Sequence, residues 1–246
     1  MRRLLIGAAA AAGLLAGCGG GDDEVISKVF QGPPWTGAES LSYQLVQRGG
    51  DVYGTCEVET RPEFEPGRTQ LNLLCTDGEG NRDDRTAVVD AQTLRPISGI
   101  RTISGEDGDR TTFESAYGER IVRLEANVDG KRNSAERDLP GATAKSPDPG
   151  YYDDESLLWV VRGIPLRVGY EGAYKNINAG NGRVFTVEVK VEGQERVRVP
   201  AGAFNAWKVR IRTESITQQF WIDEQAPNRI VRARIERLTY ELVAVR

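Results

Sequence analysis

The stretch that decides the fold is residues 184–191, Val-Phe-Thr-Val-Glu-Val-Lys-Val. From Phe185 to Val191, apolar side chains stand at every second position and polar side chains stand between them. Successive side chains of a β-strand point to opposite faces, so this period predicts a strand with one face in the core and one face in water. A helix would need apolar residues three and four positions apart.

The same alternation recurs on both sides of this strand. Downstream, Trp207, Val209 and Ile211 alternate with basic residues, and an aromatic run follows at 220–223. Upstream, short runs rich in β-branched and aromatic residues are separated by clusters of Gly, Asp, Asn and Pro, which is typical of antiparallel strands joined by turns. The sequence therefore predicts an all-β, mainly antiparallel fold. Further strands are predicted at 41–48, 52–60, 69–75, 84–90, 96–104, 110–116 and 119–126.

Near the end of the chain the alternation changes phase. Apolar residues occupy the odd positions of 231–235 and the even positions of 238–242. A bulge or a sharp bend near Arg237 would reconcile the two phases, and bulges are a means of bending strands. We therefore expect the sheet to be curved.

Two stretches depart from the strand pattern. Residues 127–150 are polar and rich in Pro, so we predict mostly loop. Residues 157–161, Leu-Leu-Trp-Val-Val, follow three acids at 153–155 and precede Gly163 and Pro165, which favours a short helix. A buried strand is the alternative, because an apolar run of this length does not distinguish the two.

The chain begins with the features of a secretory signal peptide. A basic start precedes an apolar run, Leu4 to Ala16, that is shorter than the roughly 20 residues of a bilayer crossing. Residues 15–18, Leu-Ala-Gly-Cys, resemble the lipobox of bacterial lipoproteins. This resemblance implies cleavage before Cys18 and attachment of lipid to its thiol. The alternatives are an ordinary signal peptide with a chance cysteine, or an uncleaved anchor.

This resemblance also implies a domain organisation and a location. Residues 1–17 are predicted to be the signal peptide, residues 18–38 the lipidated cysteine and a flexible tether, and residues 39–246 a single antiparallel β domain. The expected location is the bacterial cell envelope, with the lipid anchored to the outer face of the cytoplasmic membrane or to the outer membrane. The membrane is thus the first predicted partner.

The two remaining cysteines, Cys56 and Cys75, are predicted to form a disulfide, because an exported chain folds in an oxidising compartment. A hairpin around the turn-rich residues 61–68 has one register that places Cys56 opposite Cys75. The same register places Val58 opposite Leu73 on that face. Two buried free thiols are the alternative.

The charge pattern argues against a nucleic-acid partner, because the formal net charge is −4. Basic residues nevertheless outnumber acids by nine to four between Arg196 and Arg237. Pairing of Arg with Glu across neighbouring strands is one interpretation. A basic face for an anionic lipid or glycan is the other.

Few residue types offer catalytic chemistry. The chain contains no histidine, which excludes Ser–His and Cys–His nucleophile pairs and His-based zinc sites. Asp77, Asp83 and Asp84 lack the spacing of a calcium loop, so we interpret them as solvated turn carboxylates. We predict no catalytic residue, no metal ligand and no cofactor. Paired carboxylates leave no local signature, so a carboxylate-dependent hydrolase is kept as a less favoured alternative.

Three further stretches contain turn and packing motifs. They are residues 90–96, Asp-Ala-Gln-Thr-Leu-Arg-Pro; residues 199–209, Val-Pro-Ala-Gly-Ala-Phe-Asn-Ala-Trp-Lys-Val; and residues 220–223, Phe-Trp-Ile-Asp, with Pro227 and 230–232 after them. Together they resemble the domain of unknown function 3108 family over roughly residues 40–245, with poor agreement at 127–150. In the second motif, Pro200 and Gly202 supply the dihedral angles that a chain reversal needs.

The family resemblance implies a curved antiparallel sheet or half-barrel, like that of LolA-like lipoprotein carriers, with the short helix packed on or near the concave face. In those carriers the concave face takes acyl chains, which implies a lipid or other amphiphile as ligand. The alternative is a structural or protein-partner-binding envelope module, in which the same apolar residues are simply core. The candidate ligand-lining residues are Phe185, Val187, Trp207, Val209, Ile211, Phe220 and Ile222.

Overall fold

The computed structural model describes residues 26–246. The predicted signal peptide, Cys18 and the first part of the predicted tether lie outside the described residues. Among the described residues, no helix is long and apolar enough to cross a membrane. The strands are β1 (Glu39–Gln47), β2 (Val52–Glu65), β3 (Arg68–Asp77), β4 (Arg82–Asp90), β5 (Pro96–Ser104), β6 (Arg110–Tyr117), β7 (Ile121–Val128), β8 (Lys131–Asp138), β9 (Tyr151–Asp153), β10 (Glu171–Ile177), β11 (Val184–Val199), β12 (Gly202–Arg212), β13 (Thr217–Asp223), β14 (Ile230–Ile235) and β15 (Leu238–Val245); one helix, α1 (Leu157–Val160), runs into a 3-10 turn (Val161–Gly163).

The fifteen strands form one sheet made of two meanders. Each strand from β1 to β7 pairs with the next along the chain, and so does each strand from β9 to β14. β1 also pairs with β15, with Leu41 opposite Val245, and this pair joins the two halves. Every pairing is antiparallel apart from that of β9 with β10. The predicted all-β, mainly antiparallel fold is confirmed.

The sheet curls until its two ends approach each other. Arg137 of β8 donates a hydrogen bond of 3.0 Å to the carbonyl of Gly182, in the loop after β10. The Tyr117 hydroxyl of β6 donates one of 3.2 Å to Asp153 of β9. Side chains therefore link the two ends, although β8 and β9 share no strand pairing and the sheet stays unclosed. The predicted curvature is confirmed.

One predicted loop is in part a strand. Residues 127–150 are expected to be mostly loop, but Lys131–Asp138 forms β8 after a tight turn. Asp129 and Gly130 form that turn with φ values of 50° and 79°, as a two-residue hairpin requires. β8 is an edge strand with seven of its eight residues exposed, so no buried face imposes an alternation. The pattern also fails to predict β9 and β10.

The phase change near Arg237 is a hairpin turn. β14 ends at Ile235 and β15 begins at Leu238, and these two residues are cross-strand partners. Glu236 lies between them with a φ of 53°. The two phases therefore belong to two separate strands, and the structure has neither a bulge nor a bend within one strand at this point. Register shifts occur in six other strand pairs.

The helix occupies part of the concave face. Trp159 and Val160 are buried, and the Trp159 indole N–H donates to the Thr60 hydroxyl of β2 at 2.8 Å. In the 3-10 turn that follows, Arg162 is 2% exposed and forms an ion pair with Glu39 of β1. The predicted helix is confirmed, and the buried-strand alternative is wrong because this run pairs with no strand of the sheet.

The predicted tether, residues 18–38, is too long. Its last part contains no helix or strand from residue 26 onward, as expected, but it is not a free linker. Val29 and Phe30 are fully buried, and Trp35 is nearly so. The Phe30 ring packs so closely on Gly163 that no Cβ fits there. The folded domain therefore begins before residue 39, because this irregular segment supplies part of its core.

A disulfide joins Cys56 of β2 to Cys75 of β3. The two residues are cross-strand partners with Cα atoms 4.1 Å apart, and Val58 pairs with Leu73 in the same ladder. This is the predicted register. Cys56 is buried, and the disulfide lies on the face that carries the core.

Candidate ligand-binding cavity

A cavity of about 380 Å³ lies between the two halves of the sheet. One wall comes from β3, β4 and β5, and the other comes from β10 to β15 and the loops between them. The residues that lead into α1 close it from the side. Because the walls belong to both meanders, the cavity exists only once the sheet has curled. Its apolar lining includes Leu73, Leu157, Leu158, Phe185, Val187 and Ile211.

Three of the seven predicted lining residues border this cavity, and all seven belong to the core or pack against it. Phe185, Val187 and Ile211 line the cavity. Alternation identifies a buried face but not what covers it, so the pattern could not separate the two groups. For the rest the core interpretation holds. These are Val209, Phe220 and Ile222, which are fully buried, and Trp207, which is half-buried and packs against the core.

A paired charge cluster forms one wall of the cavity. Arg85 of β4 and Arg101 of β5 are cross-strand partners, and Asp83 lies two residues from Arg85 on the same face. Each arginine donates two hydrogen bonds to the Asp83 carboxylate, at 2.6 to 3.1 Å. Burial disfavours the charge on Asp83, but the two guanidinium groups outweigh it and hold the pKa of this carboxyl at about 2.

Asp83 therefore differs from the expectation. It is not a solvated turn carboxylate, because it lies in β4 and is bonded to two arginines. Sequence reasoning could not find this cluster, since the pairing partner Arg101 is on another strand.

Three consecutive acids, residues 153–155, lead into α1. Asp153 is fully buried. Its carboxylate accepts hydrogen bonds from the Ser156 backbone N–H at 3.0 Å and from the Tyr117 hydroxyl at 3.2 Å. Burial raises the pKa of Asp153 to about 6. This side chain supports the turn into α1 and does not line the cavity.

The other two acids reach the cavity. The two oxygens of Asp154 accept hydrogen bonds from the side-chain amides of Asn176 and Asn178. Glu155 is 5% exposed. Its burial, followed by the charges of the neighbouring aspartates, raises the pKa of Glu155 to about 8, and Arg85 offsets only part of this. The Oε2 atom of Glu155 is buried and has no hydrogen-bond partner.

Two more lining residues have unpartnered polar atoms. Tyr174 of β10 is fully buried, and its hydroxyl has no hydrogen-bond partner among the described residues. The same holds for the Oε1 atom of Gln218 in β13. Burial, reinforced by the charge of Asp154, raises the pKa of Tyr174 well above its usual value, so the hydroxyl keeps its proton. An unpartnered buried polar atom costs about 1–3 kcal/mol, which a bound partner would recover.

Sequence reasoning misses these polar residues. It treats residues 153–155 only as acids that favour the start of a helix, and it does not single out Tyr174 or Gln218. One available signal is the position of three acids directly before a wholly apolar helix, because the residues that lead into a buried helix lie close to the core. Within residues 26–246, no group of three or more acidic or cysteine side chains is arranged to hold a metal ion.

The basic segment between Arg196 and Arg237 is largely paired with acids. Three basic side chains on β12 and one on β14 pair with carboxylates on the adjacent strands. This supports cross-strand pairing over a free basic face. The pairs are Lys208 and Arg210 with Glu192, Arg212 with Glu188, and Arg232 with Glu241.

Similar solved structures have low sequence identity to this chain. A β-barrel-like protein of domain of unknown function DUF1849 from Brucella abortus superposes with a TM-score of 0.54 at 11% identity, over 85% of this chain and 97% of that one. A candidate lipoprotein from Parabacteroides distasonis gives a TM-score of 0.33 at 9% identity, over 89% of this chain and 99% of that one. The first supports the fold, and neither supports a function.

Among curated protein sequences, none is significantly similar to this chain. The family described as "Protein of unknown function (DUF3108)" matches residues 70–239, which is more than two thirds of the chain. The matched range includes the polar residues of the cavity from Asp83 to Gln218. The resemblance seen in the turn motifs is confirmed, and the chain belongs to the DUF3108 family.

Proposed function

We propose that this chain is a non-enzymatic lipoprotein of the bacterial cell envelope that binds one lipid or other amphiphile in its cavity. The observation that carries the proposal is that apolar side chains and unpartnered buried polar atoms line the same cavity. The hydrocarbon tail of an amphiphile can pack against the apolar side chains, and its polar head group can form hydrogen bonds with the buried polar atoms. The cavity volume of about 380 Å³ falls within the roughly 300–1,000 Å³ of small-molecule sites.

The apolar lining supports a moderate affinity. Leu157 and Leu158 at the start of α1 are half-buried and border the cavity opposite Leu73 of β3. Removing about 300 Å² of ligand apolar surface from water contributes about 7 kcal/mol at about 25 cal/mol per Å². Immobilising the ligand offsets part of this gain. The apolar contribution alone corresponds to a dissociation constant of about 10 μM. Hydrogen bonds to the unpartnered polar atoms must offset the immobilisation cost for the affinity to be micromolar, which is the affinity we expect.

The experiment uses a Cys18→Ser variant, which cannot carry the predicted lipid, purified from the soluble fraction without detergent. Native mass spectrometry should detect a bound amphiphile, and a fluorescent fatty acid should bind with micromolar affinity. Adding Leu158→Asp should weaken probe binding by about tenfold or more, because it places a charge in the apolar lining. Val168→Asp is the matched control, since Val168 is 67% exposed and lies outside the cavity.

Two results would contradict cavity binding. One is equal probe affinity in the Leu158→Asp and Val168→Asp variants, both shown to be folded by circular dichroism. The other is the absence of both a bound amphiphile and probe binding. Either result would favour the structural or partner-binding module, in which the candidate residues are simply core.

A carboxylate-dependent hydrolase is the second candidate, and the raised pKa values of Asp153 and Glu155 favour it. It ranks lower because hydrolysis by paired acids needs two available carboxyl groups. Asp153 is fully buried, and both oxygens of Asp154 are bonded to amides. Turnover of a chromogenic ester or glycoside that Glu155→Gln abolishes would establish this reading.

A further inference from the structure

We propose that the polar end of the cavity recognises an uncharged, hydroxyl-rich head group, a sugar or another polyol, on the bound amphiphile. This inference rests on the proposed function and specifies the chemical class of the ligand. It follows from which charges at the site are already paired and which polar atoms are not.

Among the buried and half-buried lining residues, an anionic head group meets no unpaired cationic site, and Arg183, which also lines the cavity, is exposed. Arg85 and Arg101 are both bonded to Asp83, and their charges also act on Asp154, so two guanidinium groups face two aspartates. A phosphate or carboxylate would have to displace Asp83 from four hydrogen bonds to bind the two arginines. An ionised phosphate or carboxylate also has no hydrogen-bond donor for the acceptor atoms of the site that lack a partner.

A cationic head group cannot serve the N–H donors of the same two arginines, which both line the cavity. An ammonium group has only donors, and it cannot accept a hydrogen bond from a guanidinium N–H. Each guanidinium has five N–H donors and gives two of them to Asp83. The remaining donors on this wall suit an acceptor without charge.

Hydroxyl groups meet both requirements, because each hydroxyl donates one hydrogen bond and accepts others. Glu155 Oε2, Gln218 Oε1 and the Tyr174 hydroxyl are the buried unpartnered atoms among the lining residues, and the first two are oxygens that can accept from a donor. The hydroxyls of one polyol can donate to the acceptor oxygens and accept from the arginine N–H groups. The site therefore matches a polyol better than a head group with one charge.

The test compares four competitors with the same dodecyl chain: dodecyl glucoside, dodecyl phosphate, dodecylammonium and dodecanoate. Each competitor is titrated, below its own critical micelle concentration, into the full-length Cys18→Ser chain carrying a fluorescent fatty acid. The measurement is the competitor concentration that displaces this probe. We expect dodecyl glucoside to displace the probe at about tenfold lower concentration than the charged competitors, as one or two hydrogen bonds to otherwise unpartnered buried atoms imply.

Tyr174→Phe is the decisive variant, because it removes only a hydroxyl that has no partner in the ligand-free protein. The melting temperature should not fall, whereas the preference for glucoside should decrease several-fold. Tyr43→Phe is the matched control, since its hydroxyl donates to the Ile230 carbonyl at 2.7 Å and does not line the cavity. That variant should be less stable and keep the preference.

A glucoside preference that Tyr174→Phe reduces and Tyr43→Phe retains supports the inference. Equal displacement by all four competitors overturns it and leaves amphiphile binding intact. A preference for the phosphate, the carboxylate or the ammonium compound also overturns it. If neither the probe nor any competitor binds, the proposed function fails and the head-group inference fails with it.

Discussion

At the scale of single residues, the cavity holds polar groups that folding leaves unsatisfied. Glu155 has a buried oxygen without a partner, and the pKa of its carboxyl is raised to about 8 by burial and by the aspartates before it. Tyr174 is fully buried with an unpartnered hydroxyl. Such groups lower the stability of the ligand-free protein, since each costs about 1–3 kcal/mol. Their presence in one cavity is what points to a bound ligand.

Glu155 should make stability fall as pH rises. Its ordinary pKa is 4.5 and its folded-state pKa is about 8, so between these values the folded protein binds more protons than the unfolded chain. The contribution of Glu155 to the free energy of unfolding is therefore greatest below pH 4.5 and decreases up to about pH 8. Each unit of pKa shift corresponds to about 1.4 kcal/mol. Glu155→Gln should weaken the dependence of stability on pH and raise the melting temperature at pH 8. Calorimetry from pH 5 to 9 measures both effects.

Glu106→Gln is the control for this measurement, because Glu106 is exposed in the turn after β5. It should melt like the wild type at every pH. Asp153, whose pKa is raised to about 6, contributes with the same sign below that pH and is present in all three proteins. A Glu155→Gln variant that is less stable than the wild type at pH 8 would show that this carboxyl is charged and well paired.

At the scale of elements, the helix is held in place by a buried ion pair rather than by its own length. α1 has four residues, too few for an isolated helix to be stable. Arg162, just after it, is paired with Glu39 of β1 and donates to the carbonyls of Pro227 and Asn228 at 3.0 and 3.1 Å. Its guanidinium also lies 5.1 Å from the ring centre of Trp35. The Arg162 side chain therefore holds together the helix, the first strand and the entry segment, which is the irregular stretch of residues 26–38 before β1.

Removal of Glu39 should destabilise the fold strongly. Glu39→Ala leaves Arg162 buried without its carboxylate partner, and breaking a buried pair in this way costs about 3–5 kcal/mol. Urea unfolding measures the loss. The exposed pair of Arg61 with Glu59 provides the control, and Glu59→Ala should cost less than about 1 kcal/mol. Similar losses in the two variants would mean that the buried pair does not anchor the helix.

At the scale of the whole molecule, two meanders joined at β1 and β15 curl towards each other and enclose the cavity between them. The entry segment packs into this body, with Val29 fully buried. Eleven residues separate Cys18 from Val29, and an extended chain spans at most about 3.5 Å per residue. A lipid on Cys18 would thus keep the domain within about 40 Å of the membrane surface.

Membrane attachment should depend on Cys18 alone. Wild-type protein should appear in the detergent-extractable membrane fraction, because two or more acyl chains are sufficient for stable anchoring. Cys18→Ser should move the protein to the soluble fraction with its melting temperature unchanged, since the domain itself is intact. Immunoblots of the fractions measure this. Equal partitioning of the two proteins would rule out the lipid anchor.

The sequence by itself determined the features that local patterns encode. Alternation specified most of the strands, because a half-buried strand needs one apolar face. The Cys56–Cys75 register followed from one hairpin that places sulfur and apolar residues on the same face. The acids before residues 157–161 and the Gly-x-Pro after them were sufficient for the helix.

The tertiary structure alone decided what covers each buried face. Edge strand β8 is solvated on both faces and therefore carries no alternation. Phe185 and Phe220 share the same kind of alternating pattern, yet one lines the cavity and the other is core, because the curl of the sheet places only the first beside the cavity. Arg85 and Glu155 meet around that cavity from distant positions in the chain, and no local pattern records such a meeting.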